Sequence, residues 1–397
     1  MSSSFSSALL LLAGLCSLVS GTQADDLENM DGALHDHEHH ESVICHNIFY
    51  NVFDLAFAFY REPASRSETT NTLLSPISIV AAFAMLSLGA QGATLLQILE
   101  SLNFNLRMVS EAHIHKCFQI LLHIFQHPDH QLQLTMGSSL FVSDNLMLRD
   151  QFVQDIKELY HSKVIPINFW DTQFASKQIN DYVERESHGE IVDLVQDLEK
   201  DADLILVDYI SFHGKWTIHF PAEYTVEETF HVDEDTTISV PMINRLGIFL
   251  LTRDEKLSSW VLVQHSVGDV MAFFILPDPG KMQQLEEGLT QEHFNNLLGT
   301  IGERFARIHF PRLSMSAAYD LRSILSTLGI TKIFAVHKAM LTFDDKRAGT
   351  EWASDLKYWA WPKALTIKFN RPFLLFIREE NTNIPLFVGK VLNPTQQ

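Results

Sequence analysis

The chain has 397 residues, of which 46% are hydrophobic and 11% aromatic, and this composition is enough for a large buried core and excludes global disorder. The 49 acidic and 29 basic residues give a net charge of −20, and no run of Lys or Arg exceeds two residues. Such a surface repels nucleic acid and anionic membranes. We therefore expect no nucleic-acid partner and no insertion into a bilayer.

The N-terminus, residues 1–24, has the pattern of a secretory signal peptide. An apolar segment at 8–19 precedes Gly21 and Ala24, either of which is the small residue that a cleavage site needs. About a dozen apolar residues are too few to span a bilayer. The sequence therefore predicts a secreted, extracellular protein.

Residues 25–44 form a polar segment rich in acidic residues and histidine. Low hydrophobicity and high charge predict a disordered tail. Closely spaced imidazoles can share a metal ion, but nothing in this segment arranges ligands in advance. We expect a solvated tail, no metal site and no cofactor.

Two cysteines remain once Cys16 leaves with the signal peptide, namely Cys45 and Cys117. In an oxidising compartment the two can pair and stabilise the fold by about 4 kcal/mol. Two buried free thiols are the alternative, because the sequence does not give the distance between them.

Hydrophobic periodicity predicts helices first and strands later along the chain. The predicted helices cover 49–60, ending near Pro63, and 77–88, 94–102, 114–124 and 149–160; the predicted strands cover 204–212, 230–242, 260–264, 271–276 and 308–313. No linker divides these segments, so residues 45–397 are predicted to form a single α+β domain.

Motifs of common catalytic sites are missing from the sequence. There is no Gly-x-Ser-x-Gly, Gly-x-Gly-x-x-Gly, P-loop or Cys-x-x-Cys pattern. The chain is therefore not expected to be an enzyme.

Short motifs in a fixed order, each weak alone, together identify a family. They are Ser75-Pro76-Ile77-Ser78-Ile79, Phe212-His213-Gly214-Lys215-Trp216, Val240-Pro241-Met242, Ile275-Leu276-Pro277-Asp278, Leu328-Gly329-Ile330, Phe369-Asn370-Arg371-Pro372-Phe373 and Phe387-Val388-Gly389-Lys390-Val391-Leu392-Asn393-Pro394. Over residues 45–397 the chain resembles a serpin of the antitrypsin-like group.

The resemblance implies a serpin fold of three β-sheets with eight or nine helices and an exposed reactive-centre loop. In an inhibitory serpin a serine protease cuts this loop and forms an acyl-enzyme. The cut loop then inserts into the main sheet as a new strand and distorts the protease. Fast insertion requires small, uncharged side chains on the face of the loop that enters the sheet.

The resemblance assigns this loop to the segment from Lys346 to Ile367, with two alignments open. If Lys346 and Phe369 are kept fixed, the scissile bond is Trp361–Pro362, at which most serine proteases fail because the second residue is proline.

The second alignment matches Gly349-Thr350-Glu351 to the hinge tripeptide of the family. It places the scissile bond at Lys363–Ala364, which suits a trypsin-like protease.

The side chains that enter the sheet are the same in both alignments, because the alignments differ by two residues and strand side chains alternate with that period. The inward set is Ala348, Thr350, Trp352 and Ser354, and the outward set includes Arg347 and Glu351. A tryptophan where the family has a small residue would overpack the sheet, which costs about 1–3 kcal/mol of stability. Trp352 therefore predicts obstructed insertion.

The segment before the loop is also unusual. Only Ala335 and Val336 separate Phe334 from His337, where antitrypsin-like relatives carry about twenty more residues by the family pattern. We expect this deletion to shorten the strand beside which the loop inserts, and so to shorten the main sheet and remove ladder hydrogen bonds. Two alternatives stay open, namely that the deletion destabilises the native fold and that it marks a splice variant.

Four residues match the family's support beneath the main sheet. They are Ser75, Ser78, Asp208 and His337, and Asp208 stands where the family has an asparagine.

Three functions remain open from the sequence. The first is a secreted, monomeric antitrypsin-like serpin with weak or lost inhibition that binds or modulates another extracellular protein. The second is a working inhibitor of a serine protease, trypsin-like if Lys363 is the scissile residue. The third is a carrier of a small apolar hormone.

Overall fold

A computed structural model of the chain describes residues 45, 48–50, 52–66, 69–126, 132–196, 198, 202–215, 225–322, 334–344 and 364–396. The predicted signal peptide and tail lie outside these residues. Within the described residues, no helix is long and apolar enough to cross a membrane, and no group of three or more His, Cys, Asp or Glu residues is arranged to hold a metal ion.

Fourteen strands lie in the described part of the chain. They are β1 (Thr72–Leu74), β2 (Leu134–Ser143), β3 (Lys163–Ile167), β4 (Leu204–Lys215), β5 (Thr225–His231), β6 (Thr237–Asp254), β7 (Ser259–Ser266), β8 (Val270–Pro277), β9 (Gly302–Pro311), β10 (Ser314–Asp320), β11 (Phe334–Asp344), β12 (Leu365–Lys368), β13 (Phe373–Glu379) and β14 (Pro385–Val391).

Eight helices accompany the strands in the same described residues. They are α1 (Val52–Arg66), α2 (Pro76–Ser87), α3 (Ala93–Ser101), α4 (Glu111–Gln126), α5 (Asp150–Tyr160), α6 (Thr172–Glu186), α7 (Met282–Gly288) and α8 (Gln291–Leu298). Every residue of α2 is buried, because this helix packs against β2, β4 and β14 and against the helices α1, α3 and α4.

The main sheet has five strands in the order β10-β11-β4-β2-β3. At its centre β11 runs parallel to β4, in a register that extends from Phe334 opposite Ile205 to Asp344 opposite Lys215. The two strands are hydrogen-bonded to each other, so no strand lies between them. We call the boundary along which they pair the line between β4 and β11.

The remaining strands form one nine-stranded sheet. The resemblance implied three sheets, whereas the described strands form two. The reason is β6, which is 18 residues long and connects two sheet regions into one hydrogen-bonded ladder. One end of β6 pairs with β5, its centre with β9 and its other end with β7, so it joins two sheet regions.

The observed elements differ from the predicted ones in three respects. First, α1 continues through Pro63 to Arg66, with Ala64 buried behind the proline. Second, strands β1 to β3 and helices α6 to α8 were not predicted from periodicity, so helices and strands alternate early in the chain. Third, the predicted strand at 230–242 is a hairpin rather than one strand, because the Asp233 carboxylate accepts hydrogen bonds from the N–H groups of Asp235 and Thr236 and fixes a turn.

Cys45 and Cys117 form a disulfide, with their Cα atoms 5.3 Å apart. Cys117 lies on α4 and is buried. The bond joins residues 72 apart in sequence, so it restricts a long loop of the unfolded chain.

We expect reduction of this disulfide to lower the free energy of unfolding by about 4 kcal/mol, the loop-closure value for a loop of this length. Guanidinium unfolding with and without dithiothreitol measures the change. Cys45→Ser/Cys117→Ser is the control, because it must lose the same stability and stop responding to the reductant. An unchanged unfolding midpoint of the wild type in dithiothreitol would contradict the bond.

Candidate functional site

The predicted reactive-centre loop connects β11 to β12. Of the loop residues singled out from the sequence, the structure describes Ala364, just before β12, and the others lie outside the described residues: Lys346, Arg347, Ala348, Gly349, Thr350, Glu351, Trp352, Trp361, Pro362 and Lys363. The choice between the two scissile bonds therefore stays a prediction.

The residues at the base of the main sheet are brought together by four elements. Asp208 on β4 lies opposite His337 on β11 in the parallel register, and both side chains are fully buried. The imidazole Nδ1 lies 2.7 Å from Asp208 Oδ2. A loop inserted between β4 and β11 would therefore have to separate Asp208 from His337.

The proton on His337 can be assigned from its second contact. The backbone N–H of Ser75 donates to Nε2 at 3.1 Å, so Nε2 is an acceptor and carries no proton. Nδ1 must then hold the proton and donate it to Asp208. These contacts fit an ionised Asp208 that accepts from a neutral histidine.

Two serine hydroxyls complete the surroundings of the Asp208 carboxylate. Ser78 Oγ donates to Oδ1 at 2.8 Å and to Oδ2 at 2.9 Å, and Ser138 Oγ on β2 donates to Oδ1 at 2.8 Å. Carboxylate oxygens only accept hydrogen bonds, and every partner here is a donor. We call Ser75, Ser78, Ser138, Asp208 and His337 the strand clamp.

The strand clamp forms at this place because α2 begins there. Ser75 is the N-cap of α2 and its side chain accepts from the N–H of Ser78, while Pro76 occupies the first helical position. The N-terminus of a helix carries a partial positive charge that favours a nearby anion. The helix start therefore stabilises the carboxylate that holds the strands.

A second close contact lies at the loop end of the same line. Phe343 on β11 is opposite Gly214 on β4, and a Cβ atom on Gly214 would lie 2.4 Å from the Phe343 ring. The ring also packs edge-on against Phe212 and Phe274, with centroid distances of 6.3 and 6.0 Å. Gly214 is required here because no side chain fits beneath Phe343.

The deletion before His337 was expected to shorten this strand, and along β4 the ladder can be followed from Phe334. β11 begins at Phe334, and its 11 residues pair with all of the 12-residue β4 except Leu204. Phe334, Ala335 and Val336 supply the start of the strand despite the missing residues.

Sequence reasoning found four members of the strand clamp and missed the fifth. Ser138 lies on β2, opposite Asp208 in the antiparallel register, but β2 was not predicted as a strand. A strand pattern over residues 134–143 would have placed Ser138 on the same face as Asp208, because cross-strand partners share a face.

The comparisons with known proteins agree with the motifs. The chain is 50% identical to human alpha-1-antitrypsin-related protein, with 99% of each chain covered, and 48% identical to pig (Sus scrofa) alpha-1-antitrypsin, with 100% of each covered. These alignments span 418 and 423 positions for a chain of 397 residues, so the relatives carry residues that have no counterpart here.

Similarity of structure extends to human thyroxine-binding globulin in complex with its ligand. The TM-score is 0.81 at 31% identity, with 88% of this chain and 99% of that chain covered. The serpin (serine protease inhibitor) family model matches residues 51–394. The chain therefore belongs to the serpin family and is antitrypsin-like.

Proposed function

We propose that this chain is a secreted antitrypsin-like serpin with weak or lost protease inhibition, which acts by binding or modulating another extracellular protein. The observation that carries the proposal is the Asp208–His337 contact across the line between β4 and β11. Inhibition requires the loop to open that line faster than the acyl-enzyme is hydrolysed.

Opening the line separates a buried charge from one of its donors. Neighbouring strands lie about 4.8 Å apart, so a strand inserted between β4 and β11 roughly doubles their separation and breaks the bond from Nδ1. Leaving a buried polar group unsatisfied costs about 1–3 kcal/mol, and more when the group is charged. An asparagine at this position would carry no net charge, whereas the charge of Asp208 would be left buried without one of its donors.

The loop sequence supports the same conclusion independently. Trp352 is at an inward position in both alignments, so insertion would force a large ring into the packed sheet. Each obstacle slows insertion, and hydrolysis of the acyl-enzyme then releases an active protease. The cut chain is a substrate product and not an inhibitor.

A working inhibitor is the second candidate, and one observation favours it. β11 and β4 keep an uninterrupted parallel register of eleven pairs, which is the arrangement that accepts a loop between them. Lys363 would then direct the chain to a trypsin-like protease.

The proposed loss of inhibition is tested by incubating the mature protein with trypsin, chymotrypsin and elastase. We expect a denaturing gel to contain cleaved chain and no band at the summed mass of chain and protease, because insertion is slower than deacylation. Sequencing the new N-terminus identifies the scissile bond. A stable band at the summed mass with wild-type chain would overturn the proposal in favour of the second candidate.

A second prediction measures separately how much Asp208 and Trp352 each slow insertion of the loop. Asp208→Asn and Trp352→Ala should each increase the yield of covalent complex, and together most, since every 1.4 kcal/mol removed from the insertion barrier is about tenfold in rate. The yield is measured by gel densitometry against a fixed amount of trypsin.

The matched control is Asp254→Asn. Asp254 is also a buried carboxylate, with His293 Nε2 at 2.6 Å, but it lies on β6 outside the main sheet. The control should leave the complex yield unchanged. An equal response of the Asp208 and Asp254 variants would show that the strand clamp has no specific role.

A further inference from the structure

Four large apolar side chains are exposed to solvent at one end of the main sheet. Met147 is 96% exposed and Trp170 is 72% exposed, while Phe174 and Leu146 are 54% and 41% exposed. At about 200 Å² for a fully exposed side chain of this size, the four together expose roughly 500 Å². Monomeric proteins rarely expose a contiguous apolar patch of more than a few hundred Å². We call Leu146, Met147, Trp170 and Phe174 the apolar patch.

The main sheet brings the two halves of the apolar patch together. β2 and β3 are parallel neighbours, and their last pair is Ser143 and Ile167. The N–H of Asp144 donates to the carbonyl of Ile167 at 3.1 Å, so the two segments are still in contact one residue beyond the strands. The first half of the patch follows within four residues of Ser143, and Trp170 within three of Ile167. Because both strands end at the same edge of the sheet, both halves lie at that edge.

The packing of the core does not use the aromatic rings of the apolar patch. α6 buries Ala175, Ile179 and Val183, which recur every four residues along one face of the helix. Phe174 precedes this stripe by one residue, so it points about 100° away from it. Trp170 lies before the first turn of α6 and is mostly in solvent. The fold of the described residues therefore gives no reason for an aromatic ring at either position.

The surroundings of the apolar patch are acidic. Asp144, Asp150 and Asp171 are exposed, and none of these carboxylates has an ion pair within the part of the chain that the structure describes. Arg149 is a neighbouring cation, and its guanidinium lies 2.8 Å from the Gln91 amide. Carboxylates beside an apolar surface favour a partner that carries positive charge next to its own apolar side chains.

We propose that the apolar patch docks a cationic amphipathic segment of another extracellular protein. Large apolar side chains of that segment would cover Trp170 and Phe174, and its Lys or Arg side chains would reach the three carboxylates. Trp, Phe and Met are enriched at protein interfaces, and the patch contains all three. The inference gives a surface to the binding role in the proposed function, and in that respect it rests on that function.

Two other occupants fit the charges less well. In a symmetric pair of this chain the same surface of each copy meets the other, so carboxylates would face carboxylates. An anionic membrane would be repelled by the same carboxylates and by the net charge of −20. A cationic protein segment is therefore the favoured occupant.

The test uses a fluorescein-labelled peptide of leucine and lysine in an amphipathic helical pattern, about 15 residues long so that it can form a helix. Fluorescence anisotropy measures its binding to wild-type chain and to variants. We expect saturable binding to the wild type and about tenfold weaker binding to Trp170→Ala, because truncated tryptophans are among the costliest losses at interfaces. Thermal unfolding of Trp170→Ala should match the wild type, because the ring is mostly in solvent.

The acidic surroundings are tested with a double variant. Asp144→Asn/Asp150→Asn should weaken peptide binding about threefold at low salt and reduce its dependence on salt. Two matched controls remove the same kinds of group elsewhere. Ile248→Ala truncates an exposed apolar side chain on β6, and Glu234→Gln/Asp235→Asn removes two exposed carboxylates from the turn between β5 and β6.

Both controls should bind the peptide as the wild type does. Absence of saturable binding to the wild type would overturn the proposal. Equal affinity of Trp170→Ala and Ile248→Ala would also overturn it, because binding would then follow the net charge of the chain and not the patch.

Two further measurements distinguish the other occupants. The wild type should sediment as a monomer, and it should not sediment with phosphatidylcholine vesicles, with or without phosphatidylserine. A dimer that Trp170→Ala dissociates, or vesicle binding that this variant abolishes, would overturn the proposal in favour of a second copy or a membrane. None of these measurements involves a protease, so their failure is distinct from failure of the proposed loss of inhibition, which the gel of covalent complexes decides.

Discussion

The main sheet depends on one buried carboxylate. Asp208 binds His337 across the parallel strands β4 and β11, Ser138 on β2, and Ser78 in the first turn of α2. Its negative charge is tolerated because all contacts are donors and the helix N-terminus lies close by. Breaking one of these contacts leaves a charge that water cannot reach, so the closed arrangement of β4 and β11 is favoured.

This constraint explains why family membership and inhibition are separate questions here. The fold, the order of strands and the register of β11 on β4 are those that a serpin needs. Inhibition depends in addition on the rate at which the line between β4 and β11 opens. In the proposed function, Asp208 below that line and Trp352 in the predicted loop both slow this opening.

Much of the fold and part of the site could be predicted from the sequence. Ordered motifs identified the family, and they located Asp208 and His337 before any geometry was known. Ser138 was missed because the strand 134–143 mixes buried and half-buried residues without clear alternation. The pairing of Cys45 with Cys117, and the register of β11 on β4, depend on distances between segments far apart in sequence, which periodicity does not contain.

The free energy of unfolding before and after the loop is cut tests the central claim most directly. If the strand clamp slows the separation of β4 and β11, wild-type chain unfolded in guanidinium immediately after the cut should give the same free energy as intact chain, whereas cut Asp208→Asn should already be more stable. A large gain in stability of the cut wild-type chain at that first time point, equal to that of Asp208→Asn, would contradict the account.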